Sequence, residues 1–425
     1  MRAQPYPAAE AVTVTAVTSS AGPAEPMSRR RYAQLVLVLG SLIALGPLTI
    51  DMYLPALPTL ASDLRATDTA VQATLTGMLI GLGVGQLVVG PISDAVGRRL
   101  PLIIGVAGHV VTSVLCAVAP DVLTLTAART LQGVAGAAIS VVAMAIVRDL
   151  FTGLAAAKLL SRLMLVMGVA PVLAPTLGGQ LLLLTSWRGI FVALAVAGLA
   201  LVGVAALGLH ETLPPHRRRS ARPRATLLTY RSLLRDRAFV ALALAGGLMF
   251  GAMFAYIAGS PFVLQGLYGL DEQTYAMAFG INAVGIVAMT QVNPVLLRRW
   301  SPRQVLTGAV VTATAAAAAL VLTTTTGAGG LLGVMVPLFV IVAVCGLSFP
   351  NTPALALSRH GEAAGTAAAM LGAAQFAIGG LAAPVVGLLG TSSAVPMAAV
   401  MLTVTAVAAT LLLTVVARDD RAQPA

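Results

Sequence analysis

The stretch Gly90-Pro-Ile-Ser-Asp94-Ala-Val-Gly97-Arg98-Arg99-Leu-Pro-Leu is a short polar island between two apolar runs, 71–90 and 100–119. Each run is about as long as a helix needs to cross a bilayer core, roughly 20 residues. The island must therefore reverse the chain at one membrane surface. Gly90 and Gly97 give it a permissive backbone. Asp94 can pair with a nearby arginine or a helix N-terminus, which makes a latch able to break and re-form. The same apolar pattern continues outward from this island. Six spans are predicted at 32–58, 71–90, 100–119, 122–147, 159–184 and 190–209, and six more at 239–263, 275–297, 305–323, 331–355, 363–390 and 395–417. Membrane β-strands would alternate in segments of ~10 residues, and that pattern is absent from the sequence. Of the 425 residues, 58% are hydrophobic and 10% charged, with mean hydropathy +0.92. A soluble domain carries about 25% charged residues. The fold class is therefore an all-α membrane protein with twelve transmembrane helices.

The positions of arginine and lysine orient the spans. With the amino terminus in the cytoplasm, 23 of the 26 basic residues fall on the cytoplasmic side. Arg65 and Arg188 fall on the other side, and Arg129 lies within a span. Both termini are expected to be cytoplasmic. The expected organisation is a disordered tail at 1–31, a six-helix bundle at 32–209, a cytoplasmic loop at 210–237, a second six-helix bundle at 238–417 and a tail at 418–425. The net charge of +11 is then a topology signal, and no nucleic-acid partner is expected. The cluster His216-Arg-Arg-Arg-Ser-Ala-Arg-Pro-Arg224 reads as a solvated loop beside anionic lipid. Trp187 and Trp300 fall at span ends, where interfacial anchors belong. Ser28-Arg-Arg-Arg-Tyr32 resembles an export signal, but a full-length span follows with no small-residue cleavage site, so it reads as a positive-inside anchor.

Two charges lie deep in the predicted spans. Arg129, in Leu125-Thr-Ala-Ala-Arg129-Thr-Leu-Gln132-Gly133, falls about seven residues, or ~10 Å, from the outer end of the fourth span. Asp51, in Leu48-Thr-Ile-Asp51-Met-Tyr53-Leu-Pro55-Ala-Leu-Pro58, falls at the same depth in the antiparallel first span. A lone guanidinium there costs at least ~2.5–3.5 kcal/mol, so a partner or a water-filled cavity is expected. Asp51 and Arg129 are the expected proton-coupling pair, because burial and a neighbouring guanidinium act oppositely on a carboxyl group. A proton crossing ~100 mV releases about 2.3 kcal/mol, enough to sustain roughly a forty-fold substrate gradient.

The island at Gly90, Asp94, Gly97, Arg98 and Arg99 resembles the loop between spans 2 and 3 of the major facilitator superfamily. A weaker echo, Asn293-Pro-Val-Leu-Leu-Arg-Arg-Trp-Ser-Pro-Arg-Gln-Val-Leu306, stands at the equivalent place in the second half and fits the duplicated plan of that fold. The ending Pro175-Thr-Leu-Gly178-Gly179 is similar to the span-5 motif of the antiporter branch, with Ala174 where a glycine is usual. The strings around Asp51, Ile146-Val-Arg148-Asp-Leu-Phe151, Ser186-Trp-Arg188, His210-Glu-Thr-Leu213 and Ser260-Pro-Phe-Val263 together resemble the Bcr/CflA drug-resistance transporters. This resemblance implies proton-driven efflux of small antibiotics, chloramphenicol- or bicyclomycin-like, by a monomer in the cell membrane. The alternative is an importer or facilitator of a small metabolite on the same fold. The resemblance adds Arg148 to the conformational latch. Tyr53, Tyr256, Asn282, Gln375 and Phe376 are candidates to line the drug cavity, and His109 reads as a satisfied helix–helix donor.

Enzymatic function is not expected. The sequence holds no phosphate-binding Gly-x-x-x-x-Gly-Lys-Ser/Thr loop, no His-Glu-x-x-His and no Gly-x-Ser-x-Gly. The four histidines do not cluster, Cys116 and Cys345 lie inside apolar runs, and no cofactor, metal or disulfide is expected.

Overall fold

The computed structural model describes residues 29–151, 153–218, 223–358, 360 and 364–416. Residues 1–28 of the expected amino-terminal tail and all of the expected tail at 418–425 lie outside the described residues. The described residues are helical and contain no strand. In the first half, α1 (Arg29–Asp51), α2 (Leu57–Asp63), α3 (Asp68–Val96), α4 (Arg99–Ala117), α5 (Val122–Leu150), α6 (Gly153–Leu182) and α7 (Trp187–Gly208) make six spans, α1 and α2 sharing one. In the second half, α9 (Arg237–Pro261), α10 (Glu272–Leu296), α11 (Pro302–Thr326), α12 (Gly330–Leu357), α13 (Ala364–Leu389) and α14 (Val395–Leu411) make six more. Polar residues set the starts. Thr67, Asp121, Asp236 and Asp271 each accept a hydrogen bond from a backbone N–H of the helix they precede, and Ser301 with Gln304 forms a capping box.

Three details depart from the sequence reading. The first span does not end at Pro58 but continues to Asp63 after a break. The central stretch 210–237 is not simply a polar loop, because it holds a helix, α8 (Pro223–Arg235). Trp187 is 1% exposed and donates from Nε1 to Asp63 at 2.9 Å, so it is a buried tie between spans rather than an interfacial anchor. Trp300 is 49% exposed, as an anchor is.

The two halves meet along two seams, α3 against α13 and α6 against α10. Counting spans from each half's start, these pair the second with the fifth in both directions, the symmetry a duplication produces. Side-chain hydrogen bonds between the halves gather on the face away from the arginine-rich turns. Thr76 donates to the Gly380 carbonyl (2.7 Å), Gln72 to the Ala258 carbonyl (3.2 Å), Gln265 to the Pro55 carbonyl (3.1 Å) and Gln273 to the Gly179 carbonyl (3.2 Å). Thr59 donates to Glu272 (3.4 Å) and Thr391 donates to Asp68.

Candidate functional site

The helix that carries Asp51 stops at Asp51. Met52 and Tyr53 form a turn, Leu54–Ala56 continue as a 3-10 turn, and α2 begins at Leu57. Pro55 and Pro58 lack the N–H groups that would continue an α-helical ladder, so the sequence favours a break here. A neighbouring helix holds the break in place. Gly178 of α6 lies so close that a Cβ added to it would sit 1.8 Å from the Met52 carbonyl oxygen. The Pro-x-x-Gly-Gly ending thus supplies the surface on which the chain turns just after Asp51. Gly179 faces α10 and its carbonyl accepts from Gln273.

Arg129 is fully buried and is held by a chain of hydrogen bonds whose directions can be assigned. Its Nη1 donates to the Thr49 carbonyl (3.0 Å) and to Gln132 Oε1 (2.7 Å). Gln132 Nε2 donates to Ser113 Oγ (2.7 Å), and Ser113 Oγ donates to the His109 carbonyl (2.7 Å). Thr49 Oγ1 gives its proton to the Leu45 carbonyl (2.6 Å), so its 2.8 Å contact with His109 Nε2 is an N–H donated by the ring. This fixes the tautomer by elimination. The guanidinium stacks over Tyr53, with Cζ 4.4 Å from the ring centroid, and Tyr53 in turn reaches Thr74 at 3.1 Å. Gln132 lies three residues from Arg129 on one helix face, a spacing legible in the sequence but not used there.

Asp51 is 4% exposed. Among the described residues its Oδ1 has no hydrogen-bond partner, and neither do Nε and Nη2 of Arg129. Arg129 meets the chain at Thr49, two residues before Asp51. Neither a hydrogen bond nor an ion pair joins the two side chains in the structure. Tyr256 stacks on Phe279 at 5.4 Å and its hydroxyl accepts from Asn282 Nδ2 at 2.8 Å, while Tyr275 shares a hydrogen bond with Ser260 at 3.2 Å. The remaining buried side-chain polar atoms without a partner among the described residues are Gln72 Oε1 and Asn282 Oδ1. Each such atom costs about 1–3 kcal/mol. Gln72 and Asn282 lie on α3 and α10, helices of the two seams between the halves.

Gln375 and Phe376 are half-buried on α13; Phe376 packs edge-on against Phe250 at 5.3 Å. A cavity of about 890 Å³ lies elsewhere, at the arginine-rich end of the second half, lined by Asp236, Phe239, Leu242, Arg303, His360 and Leu412 among others. It includes neither Asp51 nor Arg129.

The residues expected to form a latch cluster in the first half. Gly97 has φ of +107°, a conformation that a side chain strains, and it ends α3. Arg98 then turns back to bridge Asp94 at 2.6 Å and Asp149 at 2.8 Å, with Ser93 Oγ at 2.8 Å. Arg99 Nη2 donates to the Ala206 carbonyl at 2.7 Å. Glu211 closes the arrangement, accepting from the backbone N–H of Arg98 (2.8 Å), Arg99 (3.2 Å), Thr212 (3.0 Å) and Leu213 (2.9 Å). Burial opposes ionisation of that carboxyl, but the four N–H groups together outweigh it and hold its pKa below the ordinary value. Asp149 and Glu211 were not expected in the latch. Arg148, which was, is exposed, because helical geometry turns its neighbour Asp149 toward Arg98 instead.

Comparisons with known proteins agree with the fold. Residues 39–384 match the family described as Major Facilitator Superfamily. An uncharacterized MFS-type transporter, YdgK of Bacillus subtilis, is 42% identical over 392 residues, covering 91% of this chain and 96% of that protein. The bicyclomycin resistance protein homolog of Haemophilus influenzae is 29% identical, covering 85% and 91%, and the multidrug resistance protein MdtL of Escherichia coli is 29% identical, covering 79% and 83%. Among solved structures, a D-xylose-proton symporter superposes with TM-score 0.74 at 15% identity, covering 90% of this chain and 98% of its own. A bacterial homolog of the lysosomal transporter Spinster, in an inward-facing conformation, gives 0.69 at 16%, covering 91% and 97%. The chain belongs to the major facilitator superfamily and is a multi-pass cell-membrane transporter, not an enzyme.

Proposed function

We propose that this transporter exports small drugs in exchange for protons, with both termini and the arginine-rich turns in the cytoplasm. One observation supports this most strongly: a buried carboxyl at a helix break, its Oδ1 without a hydrogen-bond partner among the described residues, two residues from the carbonyl that anchors a buried guanidinium whose Nε and Nη2 are likewise without one. In this reading Asp51 carries the proton. Because α1 ends at Asp51, a shift of the 52–56 turn moves the carboxyl relative to Arg129 without unwinding a continuous helix. With Arg129 close, the anion is favoured; in the apolar setting away from it, the acid is favoured. Tyr53, Tyr256, Asn282, Gln375 and Phe376 line the drug path, the aromatic rings giving apolar contact and Asn282 orientation. The relatives named for bicyclomycin and multidrug resistance support the substrate class.

The test uses inverted membrane vesicles carrying a preformed proton gradient. Adding chloramphenicol should release protons from the vesicles in the wild type, and Asp51→Asn should abolish that release while leaving expression and membrane insertion intact. A facilitator would transport drug with no pH change, and an Asp51→Asn protein that pumps at the wild-type rate would remove Asp51 from the carrier role.

A further inference from the structure

Helix α8 carries chemistry that the transport site does not use. One side of it is tied to the protein: Leu233 is 1% exposed, the Tyr230 hydroxyl donates to the Leu87 carbonyl at 3.4 Å, and the helix packs on α9 and α13. It thus sits at the arginine-rich end of the α3–α13 seam, touching both halves. The other side is apolar and uncovered. Leu227, Leu228 and Leu234 are 66%, 61% and 62% exposed, while Arg231 and Arg235 are also exposed. At about 100° per residue, Leu227 and Leu234 fall on one line beside the tied face, the two arginines come next, Leu228 follows them, and Ser232 lies about 160° around from Leu234. An apolar edge beside a basic strip is the arrangement of a helix lying in a membrane interface, and Leu228 is the one apolar side chain beyond that strip on the described part of the helix.

We propose that α8 lies in the headgroup layer of the membrane, with Leu227 and Leu234 in the acyl boundary and Arg231 and Arg235 on the phosphates of anionic phospholipid. Two features select this occupant. The exposed leucines flank positive charge, which suits an anionic lipid surface better than an apolar protein groove. The preceding segment also concentrates arginine at 217–219, 222 and 224, all of one sign. The helix bridges the seam between the halves, so anionic lipid that holds α8 in place also bears on the relative movement of α3 and α13.

The experiment uses the full-length protein, labelled with an environment-sensitive fluorophore at Leu234→Cys or at Ser232→Cys; the native Cys116 and Cys345 are fully buried. Vesicles are made of phosphatidylcholine alone or with phosphatidylglycerol. In the mixed vesicles, the label at 234 should be quenched by phospholipid carrying a nitroxide near the top of its acyl chain and shielded from iodide. The label at 232 should show the reverse. Arg231→Gln with Arg235→Gln should shift the docked fraction about five-fold per arginine toward undocked, and this loss should vanish in pure phosphatidylcholine. Equal iodide quenching at both positions in mixed vesicles overturns the proposal. So does a label at 234 that neither quencher reaches, which would mean that protein covers it, whether a second copy or another segment of this chain. If Leu234→Cys does not purify as a monodisperse protein, Leu227→Cys reports on the same line of the helix.

Discussion

Replacing Gly178 by alanine tests the claim that α6 holds the break beside Asp51. The new Cβ would start 1.8 Å from the Met52 carbonyl oxygen, where real contacts do not fall below 3.0 Å, so the oxygen must retreat by the difference, 1.2 Å. Because the obstructing atom is backbone, no rotamer change relieves it. Overpacking of this kind costs ~1–3 kcal/mol. A displacement of about 1 Å in a positioned group costs activity on the order of 10²-fold. Gly178→Ala should therefore lower the melting midpoint of the purified protein by a few degrees and cut drug-driven proton release far more than stability alone accounts for. Gly203→Ala is the matched control. It places the same methyl group in α7 with nothing within 4 Å, so improved helix propensity should leave stability unchanged or raised by up to ~1 kcal/mol. Differential scanning fluorimetry and the vesicle proton assay would be run on both. If Gly178→Ala melts and transports like Gly203→Ala, the packing account of the Pro-x-x-Gly-Gly ending is wrong.

Further outcomes follow from the same contacts. Gln132→Leu removes the acceptor of Arg129 Nη1 and the donor to Ser113; it should destabilise the protein by about 1–3 kcal/mol and reduce transport, and a variant with wild-type melting and flux would count against the positioning role. Arg148→Ala should stay within ±0.5 kcal/mol or so of the wild type, whereas Asp149→Ala should lower the melting midpoint by removing the partner of Arg98. Reversal of that order would refute the latch as drawn. The Glu211 carboxyl titrates below its ordinary value in the folded protein, so its stabilising effect is complete above the unfolded pKa of about 4.3 and is lost as pH falls through the folded pKa. The wild-type melting midpoint should therefore fall more steeply than that of Glu211→Gln on acidification below about pH 4.3. Parallel curves would show that the carboxyl contributes nothing.

The helices and the two-part plan were legible because they rest on apolar run length, which a bilayer enforces residue by residue. The shared depth of Asp51 and Arg129 was legible for the same reason, since depth is a count along the chain. Rotation about a helix axis is not such a count, and there the sequence reading stopped. It placed Arg148 in the latch where the next residue, Asp149, faces Arg98. It missed Glu211, which lies more than a hundred positions from the turn it caps and is brought there by the packing of α7 on α4. The break after Asp51 had a signal in Pro55 and Pro58, but an apolar run reads as continuous when hydropathy alone sets its limits. Helix α8 was hidden by its arginines; the seven-residue step from Leu227 to Leu234 was the trace it left.

The contacts that fasten the two halves on one side set a preference for the machine at rest. Six side-chain hydrogen bonds, from Asp68–Thr391 at the rim to Thr76–Gly380 deeper in, must part before that side opens. Each contributes about 0.5–1.5 kcal/mol in net terms, and the side stays shut until new contacts offset their loss. In the proposed orientation, with the arginine-rich turns in the cytosol, this fastened side is the outer one, and parting it is a step that every export cycle must include.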